Sequence, residues 1–374
     1  MATVKAVRSV SSVRPPRTEL TAARERIDAI NQTLLKLLNE RARLAIAIGH
    51  LKRAQGAELY QPAREQAILE RLIAQNEGPL RTEDVRHIFG EIISACRGLE
   101  HELRVAYLGP EFTYSHLAAI RQFGHGAQLQ GEESIAAVFA ALDGGRADLA
   151  LAPVENSTEG SVTVTLDALL DSPAQIVGEV LLPVRHALLS LSGRRADIKK
   201  ILAHQQSLGQ CRDYLSTNFP GCVQEAVASN ALAARRAAAD PTLAAIAAAE
   251  AAQPYGLRVV AHAIQDQAHN MTRFLILGRQ AVAKSGNDKT SVIFAMPERV
   301  GALKEALTVF ARNRIDLTMI QSRPQRGRPW AYLFYADLRG HREAPAMKRA
   351  LAALKRKALF LKLLGSYPEA RVAG

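Results

Sequence analysis

Residues 149–160 read LALAPVENSTEG, and residues 270–277 read NMTRFLIL. In the first, an apolar run of strand length ends in a polar turn. In the second, a polar triplet leads into another apolar run. A polar turn at the carboxyl end of a strand is where α/β sheets take ligands, which makes the two stretches candidate site segments. Short apolar runs at 105–108, 187–191 and 257–261 read as further strands. Helical stretches separate them, among them the alanine-rich segment 231–252, whose composition favours helix. Alternating strands and helices define an α/β domain over residues 103–280.

Upstream, apolar positions at Leu20, Ile27, Ile30, Leu34, Leu37, Leu38, Leu44, Ile48 and Leu51 recur at helical spacing. They predict one amphipathic helix over 20–53, longer than the roughly 8–20 residues of an ordinary globular helix, so it needs a partner along its length. Two more helices are expected over 62–75, opened by Pro62, and over 82–101, with Gly78-Pro79 between them. Residues 19–102 therefore form an all-helical domain. A lone arginine on such a helix is ordinarily solvated, so only a set of cations carries an argument. Arg41 and Lys52 lie about 20° apart around the first helix axis, whereas Arg24 lies about 100° from both and about 42 Å from Lys52 along it. No small ligand touches both ends of that span on one helix. If the three serve one kind of site, Arg24 reaches the site of another chain, in a homodimer or higher homo-oligomer.

Downstream, residues 281–289 (AVAKSGNDK) read as a linker. Residues 290–374 then alternate strand, helix, strand, strand, helix, strand, the βαββαβ order of a ferredoxin-like domain. At the other end, residues 1–18 carry Lys5, Arg8, Arg14 and Arg17 without an acid, and Pro15-Pro16 interrupts any helix. A disordered basic tail is expected there.

The length of 374 residues allows two or three domains. The formal net charge is +12, but the basic residues are spread along the chain. No helix-turn-helix, zinc finger or RNA-stacking motif is present, so nucleic acid is not an expected partner. No apolar run approaches the roughly 20 residues of a membrane span, and no membrane partner is expected. Cys96, Cys211 and Cys222 show no metal-ligand spacing, and a sparse, odd count fits a reducing cytoplasm. Neither a metal nor an organic cofactor is expected.

Three resemblances follow from particular residues. Arg24-Glu25, Glu40-Arg41, Lys52 and Arg64-Glu65 stand in the order and nearly the spacing of the all-helical chorismate mutase family, which residues 20–101 resemble. The triplet Thr272-Arg273-Phe274 is the hallmark of the prephenate dehydratase family. Residues 107–110, 113–116, 153–160, 204–212 and 255–257 also match it, so the resemblance covers essentially the whole α/β domain. Gly301-Ala302-Leu303 and Ser322-Arg323-Pro324 resemble the two effector motifs of an ACT domain of phenylalanine-regulated dehydratases. The resemblances imply a multidomain α and α/β chain. It would join a helical mutase, a two-lobed α/β dehydratase resembling periplasmic binding proteins, and a ferredoxin-like ACT module.

The implied activity is conversion of chorismate to prephenate and of prephenate to phenylpyruvate, with phenylalanine as effector. The rearrangement needs orientation and electrostatics rather than a nucleophile. The family pattern gives Arg24 and Arg41 the substrate carboxylates, Lys52 the ether oxygen and Glu65, beside Arg64, the substrate hydroxyl. In the dehydratase it makes Thr272 the donor to the leaving hydroxyl and Asn156, Ser157 and Gln206 substrate hydrogen-bonders. Thr113, Ser115, His204 and Phe274 join them as substrate-site candidates. Arg273 is a carboxylate or structural partner, and Glu155 tunes the electrostatics or stays structural.

Five positions depart from the family patterns: Gln61, Glu100, Phe112, Gln205 and Gln321. Glu100 replaces a glutamine that donates to the ether oxygen; a carboxylate donates only when protonated, so mutase turnover is expected to favour acid pH. Phe112 replaces a glycine, which points to a positive φ or a crowded cleft. It favours the alternative reading, a prephenate- or phenylalanine-sensing protein with mutase activity but impaired dehydratase turnover. Gln321 replaces a glutamate and is expected to weaken effector coupling.

Overall fold

In the computed structural model, which describes residues 16–54, 60–324 and 332–370, three helices precede the first strand. They are α1 (Pro16–Ala54), α2 (Pro62–Ala74) and α3 (Thr82–Glu100). α1 begins inside the stretch expected to be a tail, because a proline fits the first turn of a helix, whose N–H needs no partner; residues 1–15 lie outside the described residues. α3 packs on the C-terminal half of α1, where Ala45 is buried. A Cβ on Gly49 would stand 3.0 Å from Glu100 Cβ and 3.1 Å from its Cα, so glycine lets the two helices close up there. The apolar stripe of α1 is otherwise open. Leu20, Ile27, Ile30, Leu34, Leu37, Leu38, Leu44, Ile48 and Leu51 remain 39–63% exposed within one chain.

The chain then runs through β1 (Arg104–Leu108), α4 (Tyr114–Phe123), β2 (Gln128–Glu132), α5 (Ile135–Asp143), β3 (Leu149–Asn156), β4 (Gly160–Ser161), α6 (Thr163–Asp171) and β5 (Gln175–Pro183). It crosses to a second lobe of β6 (Ala187–Ser190), β7 (Lys200–Ala203), α7 (Gln205–Gln210), α8 (Arg212–Asn218), β8 (Val223–Ala226), α9 (Asn230–Ala237), β9 (Leu243–Ala247) and β10 (Arg258–Ala261). It returns as β11 (Met271–Gly278). The first-lobe sheet has the order β2-β1-β3-β11-β5, with β4 paired to β3, and the second has β10-β6-β9-β7-β8. Two crossings between two sheets give the two-lobed, periplasmic-binding-protein-like architecture.

The alanine-rich segment is not one helix. α9 stops at Ala237, and Leu243–Ala247 is a strand between β6 and β7. Pro241 cannot continue a helix, and the Asp240 carboxylate accepts from Thr242 N at 2.8 Å and Oγ1 at 2.7 Å, which fixes the turn instead. Ala244, Ala245, Ile246 and Ala247 are fully buried, so their burial in the sheet overrides helix propensity.

The last unit is β12 (Asp288–Ala295), α10 (Ala302–Arg312), β13 (Leu317–Pro324), β14 (Tyr332–Arg339), α11 (Pro345–Lys357) and β15 (Phe360–Pro368). Its sheet order, β13-β14-β12-β15, is that of the expected ferredoxin-like module. Val292, Phe294, Ala306, Phe310 and Met347 form the core under its helices. The opposite face of the sheet packs on the first lobe, where Ile293, Tyr335, Leu364 and Tyr367 share one apolar core with Leu166, Ile176 and Leu275. The approach is close: a Cβ on Gly365 of β15 would fall 2.2 Å from the carbonyl oxygen of Ile176 on β5. Val282, in the expected linker, is buried in that same core.

Candidate functional site

Successive side chains of a strand point to opposite faces, and at the start of β11 this sends neighbouring residues to different places. Thr272 pairs in register with Asn156 of β3. Asn156 Oδ1 accepts from the backbone N–H groups of Thr158 (3.0 Å) and Glu159 (3.1 Å), an Asx turn that fixes its carboxamide. Its Nδ2 therefore faces β11 and donates both protons, to Thr272 Oγ1 at 2.9 Å and to Asn270 Oδ1 at 2.8 Å. Thr272 accepts in this pair, so its own hydroxyl proton is left for another acceptor. Asn270 Nδ2 donates onward to Gln210 Oε1 of the second lobe at 3.0 Å, and Gln210 Nε2 donates back to Glu159 Oε1 at 3.1 Å. Ser157 closes the turn onto β11, accepting from Met271 N at 2.9 Å and donating to His269 O at 3.3 Å.

Arg273 points the other way. Its Nε donates to Glu179 Oε2 at 2.6 Å, its Nη1 lies 2.6 Å from Asp337 Oδ2, and its Nη2 donates to Tyr367 Oη at 3.1 Å. Lys289 Nζ holds the other oxygen of Glu179 at 2.9 Å. This buried cluster joins the first lobe to the C-terminal sheet. The fork of Arg273 is filled by two protein carboxylates and the Tyr367 hydroxyl. Glu155 and Phe274, expected at the substrate, do not line the Thr272 junction. Strand alternation puts Glu155 on the face of Arg273, 3.7 Å away. A register shift follows Arg273, and Phe274 is 1% exposed in the core.

The remaining first-lobe and second-lobe candidates sit at helix starts. Thr113 caps α4, accepting from His116 N and donating to Pro110 O at 2.9 Å. Ser115 is buried in the first turn. His204 caps α7, its backbone N–H donating to Asn230 Oδ1 at 2.8 Å, and Gln206 is exposed beside it. Phe112 has φ +62°, the conformation anticipated from the family glycine, at a cost of roughly 1–2 kcal/mol for a residue with a Cβ. Its ring spans the lobes, edge-on to His116 at 5.4 Å and to Tyr255 of the second lobe at 5.5 Å.

In the helical unit, Lys52 and Glu100 are brought together, Nζ donating to Oε2 at 3.2 Å. Arg41 Nη1 donates to Ile92 O at 3.4 Å. Glu65 accepts two bonds, of 2.7 and 2.8 Å, from Arg97, which also donates to Phe123 O at the end of α4. Arg97 was not legible as a site neighbour, because one more cation on an amphipathic helix carries no signal. Arg64 and Arg24 are exposed, and Arg24 stands on the half of α1 that α3 does not cover.

In the C-terminal unit Gly301 is left-handed, φ +82°, directly before α10. Ala302 is buried and Leu303 exposed. β13 is an edge strand. From it Gln321 Oε1 accepts from Ser161 Oγ at 3.3 Å, and Arg323 grips Asp167 of α6 with Nη2 bonds of 3.0 and 2.9 Å. Ser322 and Pro324 are exposed.

Three family patterns match in succession: chorismate mutase type II over residues 23–101, prephenate dehydratase over 105–282 and ACT domain over 290–356. The bifunctional chorismate mutase/prephenate dehydratase of Stutzerimonas stutzeri is 44% identical over 358 residues, 94% of this chain and 98% of that protein. This chain belongs to the bifunctional chorismate mutase/prephenate dehydratase family. The member from Aquifex aeolicus (strain VF5) is 41% identical, again over 94% of this chain and 98% of its own. Among solved structures, a prephenate dehydratase from Arthrobacter aurescens in complex with L-Phe superposes with a TM-score of 0.66 at 33% identity, over 71% of this chain and 90% of that one. GqqA, described as a novel type of quorum quenching acylase, superposes at 0.65 with 30% identity, over 71% of this chain and 98% of that one. Fold alone thus does not assign the reaction; the family's three domains do.

Proposed function

We infer that the helical domain converts chorismate to prephenate and the two-lobed domain converts prephenate to phenylpyruvate, under phenylalanine feedback through the ACT domain. Near full-length similarity to bifunctional family members supports the pairing of activities. The observation that carries the chemistry is the Asn156–Thr272 pair, because it leaves the threonine proton free to donate.

For the mutase, the cations Arg24, Arg41 and Lys52 supply charge for a dicarboxylate and its breaking ether bond. The half of α1 that bears Arg24 exposes Ile27, Ile30 and Leu34 and has no covering helix among the described residues. A second copy laid along this stripe buries it and brings its own Arg24 to the distant site, so the active form is at least a dimer. A monomeric mass in solution at micromolar concentration would overturn this. Free thiols at all three cysteines fit a cytoplasmic location.

Glu100 occupies Lys52 as an acceptor. Glu100→Gln turns that acceptor into a donor for the ether oxygen and releases the ammonium. The mutase kcat/KM at pH 8 is expected to rise, up to about tenfold, the worth of one net hydrogen bond, with dehydratase turnover unchanged. A lower mutase rate across pH 5 to 8 would instead make Glu100 an essential partner of Lys52.

For the dehydratase, prephenate loses its ring carboxyl as carbon dioxide while its ring hydroxyl departs as hydroxide, which becomes water on taking a proton from solvent. The electron pair of the breaking C–C bond completes the aromatic ring. Thr272 donates a hydrogen bond to the departing oxygen. The effector strand is coupled to this site through Arg323–Asp167 and Gln321–Ser161, which hold the segment that follows the Asn156 turn. The test follows chorismate loss and phenylpyruvate gain on one preparation with and without phenylalanine. Both activities, with the second falling as phenylalanine rises, support the reading. Chorismate loss without phenylpyruvate restores the sensing alternative that Phe112 favours.

A further inference from the structure

A buried histidine stands behind the Thr272 junction, outside the residues the mechanism uses. His186 precedes β6, at the first crossing between lobes, and is 1% exposed. Its Nε2 lies 2.9 Å from Gln210 Oε1 and its Nδ1 lies 3.0 Å from Tyr114 Oη on α4 of the first lobe. Its backbone N–H donates to Gln265 Oε1 at 2.9 Å.

The direction of every bond in this chain follows from the Asx turn. Asn156 Nδ2 must donate, so Asn270 presents Oδ1 to it and Nδ2 to Gln210. Gln210 then presents Oε1 to Asn270 and Nε2 to Glu159. The imidazole nitrogen facing Gln210 Oε1 must be Nε2–H, and Nδ1 is the acceptor, with the Tyr114 hydroxyl proton lying between it and Arg185 O. Burial lowers the His186 pKa, in keeping with this neutral form. One tautomer satisfies the whole series, and two lobes meet in it.

We propose that His186 is a positioning residue of the dehydratase: seated between Tyr114 and Gln210, it holds the Gln210 carboxamide against Asn270, which keeps Asn156 and Thr272 aligned across the lobe junction. The proposal rests on the dehydratase reading and deepens it.

Glutamine and asparagine separate the two halves of the imidazole. The amide nitrogen of glutamine falls near Nε2 and keeps the donor to Gln210; asparagine reaches only the Tyr114 side. His186→Leu is expected to lower dehydratase kcat roughly 100-fold, the scale of a misplaced catalytic group, with KM for prephenate changed less than threefold and mutase turnover intact. His186→Gln restores kcat to within about fivefold of wild type, on the same scale, and His186→Asn stays near the leucine variant. The mutase activity of the same chains reports that they fold. Equal kcat in the Gln and Asn variants, or losses that simply follow the melting temperature, would overturn the proposal and leave His186 a core residue. Wild-type phenylpyruvate formation, measured alongside, separates failure of the dehydratase reading from failure of this one.

Discussion

Thr272→Val removes one hydroxyl of nearly unchanged shape, and dehydratase kcat is expected to fall by roughly 10²–10⁴, the usual contribution of a positioned proton donor. The valine methyl leaves the Asn156 amide proton without its acceptor in a half-buried site, which adds about 1–3 kcal/mol of local cost. Mutase turnover on the same chain stays at the wild-type rate, because the mutase candidates lie on the N-terminal helices and not on β11. Thr272→Ser keeps the hydroxyl on a less constrained side chain and retains activity within about tenfold. Steady-state rates on prephenate decide the matter. A valine variant with more than a tenth of the wild-type kcat would remove Thr272 from the chemistry and shift attention to Gln210 or Glu159.

Arg273→Met has the second large effect, on stability and on regulation rather than on proton donation. Arg273 is the bridge between Glu179 of β5 and Asp337 of β14, with Tyr367 of β15 on its third corner. Removing one member of a buried ionic set leaves charges uncompensated and costs about 3–5 kcal/mol. Lysine cannot replace it, since a point charge does not span three partners in a plane. The expected result is a lower melting temperature together with loss of the phenylalanine response at effector concentrations that inhibit the wild type. An unchanged response would place the coupling entirely in Arg323 and Asp167. The same cluster sets an acid limit. Burial alone would raise the Glu179 pKa, but Arg273 and Lys289 overcome this and hold it below the usual glutamate value of 4.5. The unfolded chain therefore takes up the proton first. The stabilisation is complete above about pH 4.5 and drains away as pH falls through the folded value.

Much of this was legible in the chain. The helical spacing of Leu20 to Leu51 announced the long helix, whose apolar stripe stays largely exposed within one chain. The polar turn after β3 and the triplet opening β11 were legible because both are local motifs, and the structure pairs them at one junction. What escaped was set by tertiary geometry. Arg273 and Glu155 each kept two readings in the sequence, and only strand alternation shows that they share the face toward the C-terminal sheet. Asn270, Gln210 and Tyr114 lie in stretches that the sequence singled out, but the hydrogen bonds that link them through His186, which lies in none of those stretches, were not legible. The alanines around 240 read as helix because propensity is averaged over a window, whereas one Asp-Pro turn and a slot in the second-lobe sheet decide the outcome. Phe112 was legible as a conformational demand, and its ring contact with Tyr255 was not.

The neighbouring destinations of Thr272 and Arg273 also limit how the gene can change. Inserting or deleting one residue at the head of β11 reverses which side chains face which way. Thr272 would then be delivered to the C-terminal sheet and Arg273 to the lobe junction, so turnover and feedback would fail in the same event. Loops elsewhere in the chain can lengthen or shorten with little penalty. Between Asn270 and Leu275 the strand is expected to tolerate exchange of one side chain for another far better than a change in length.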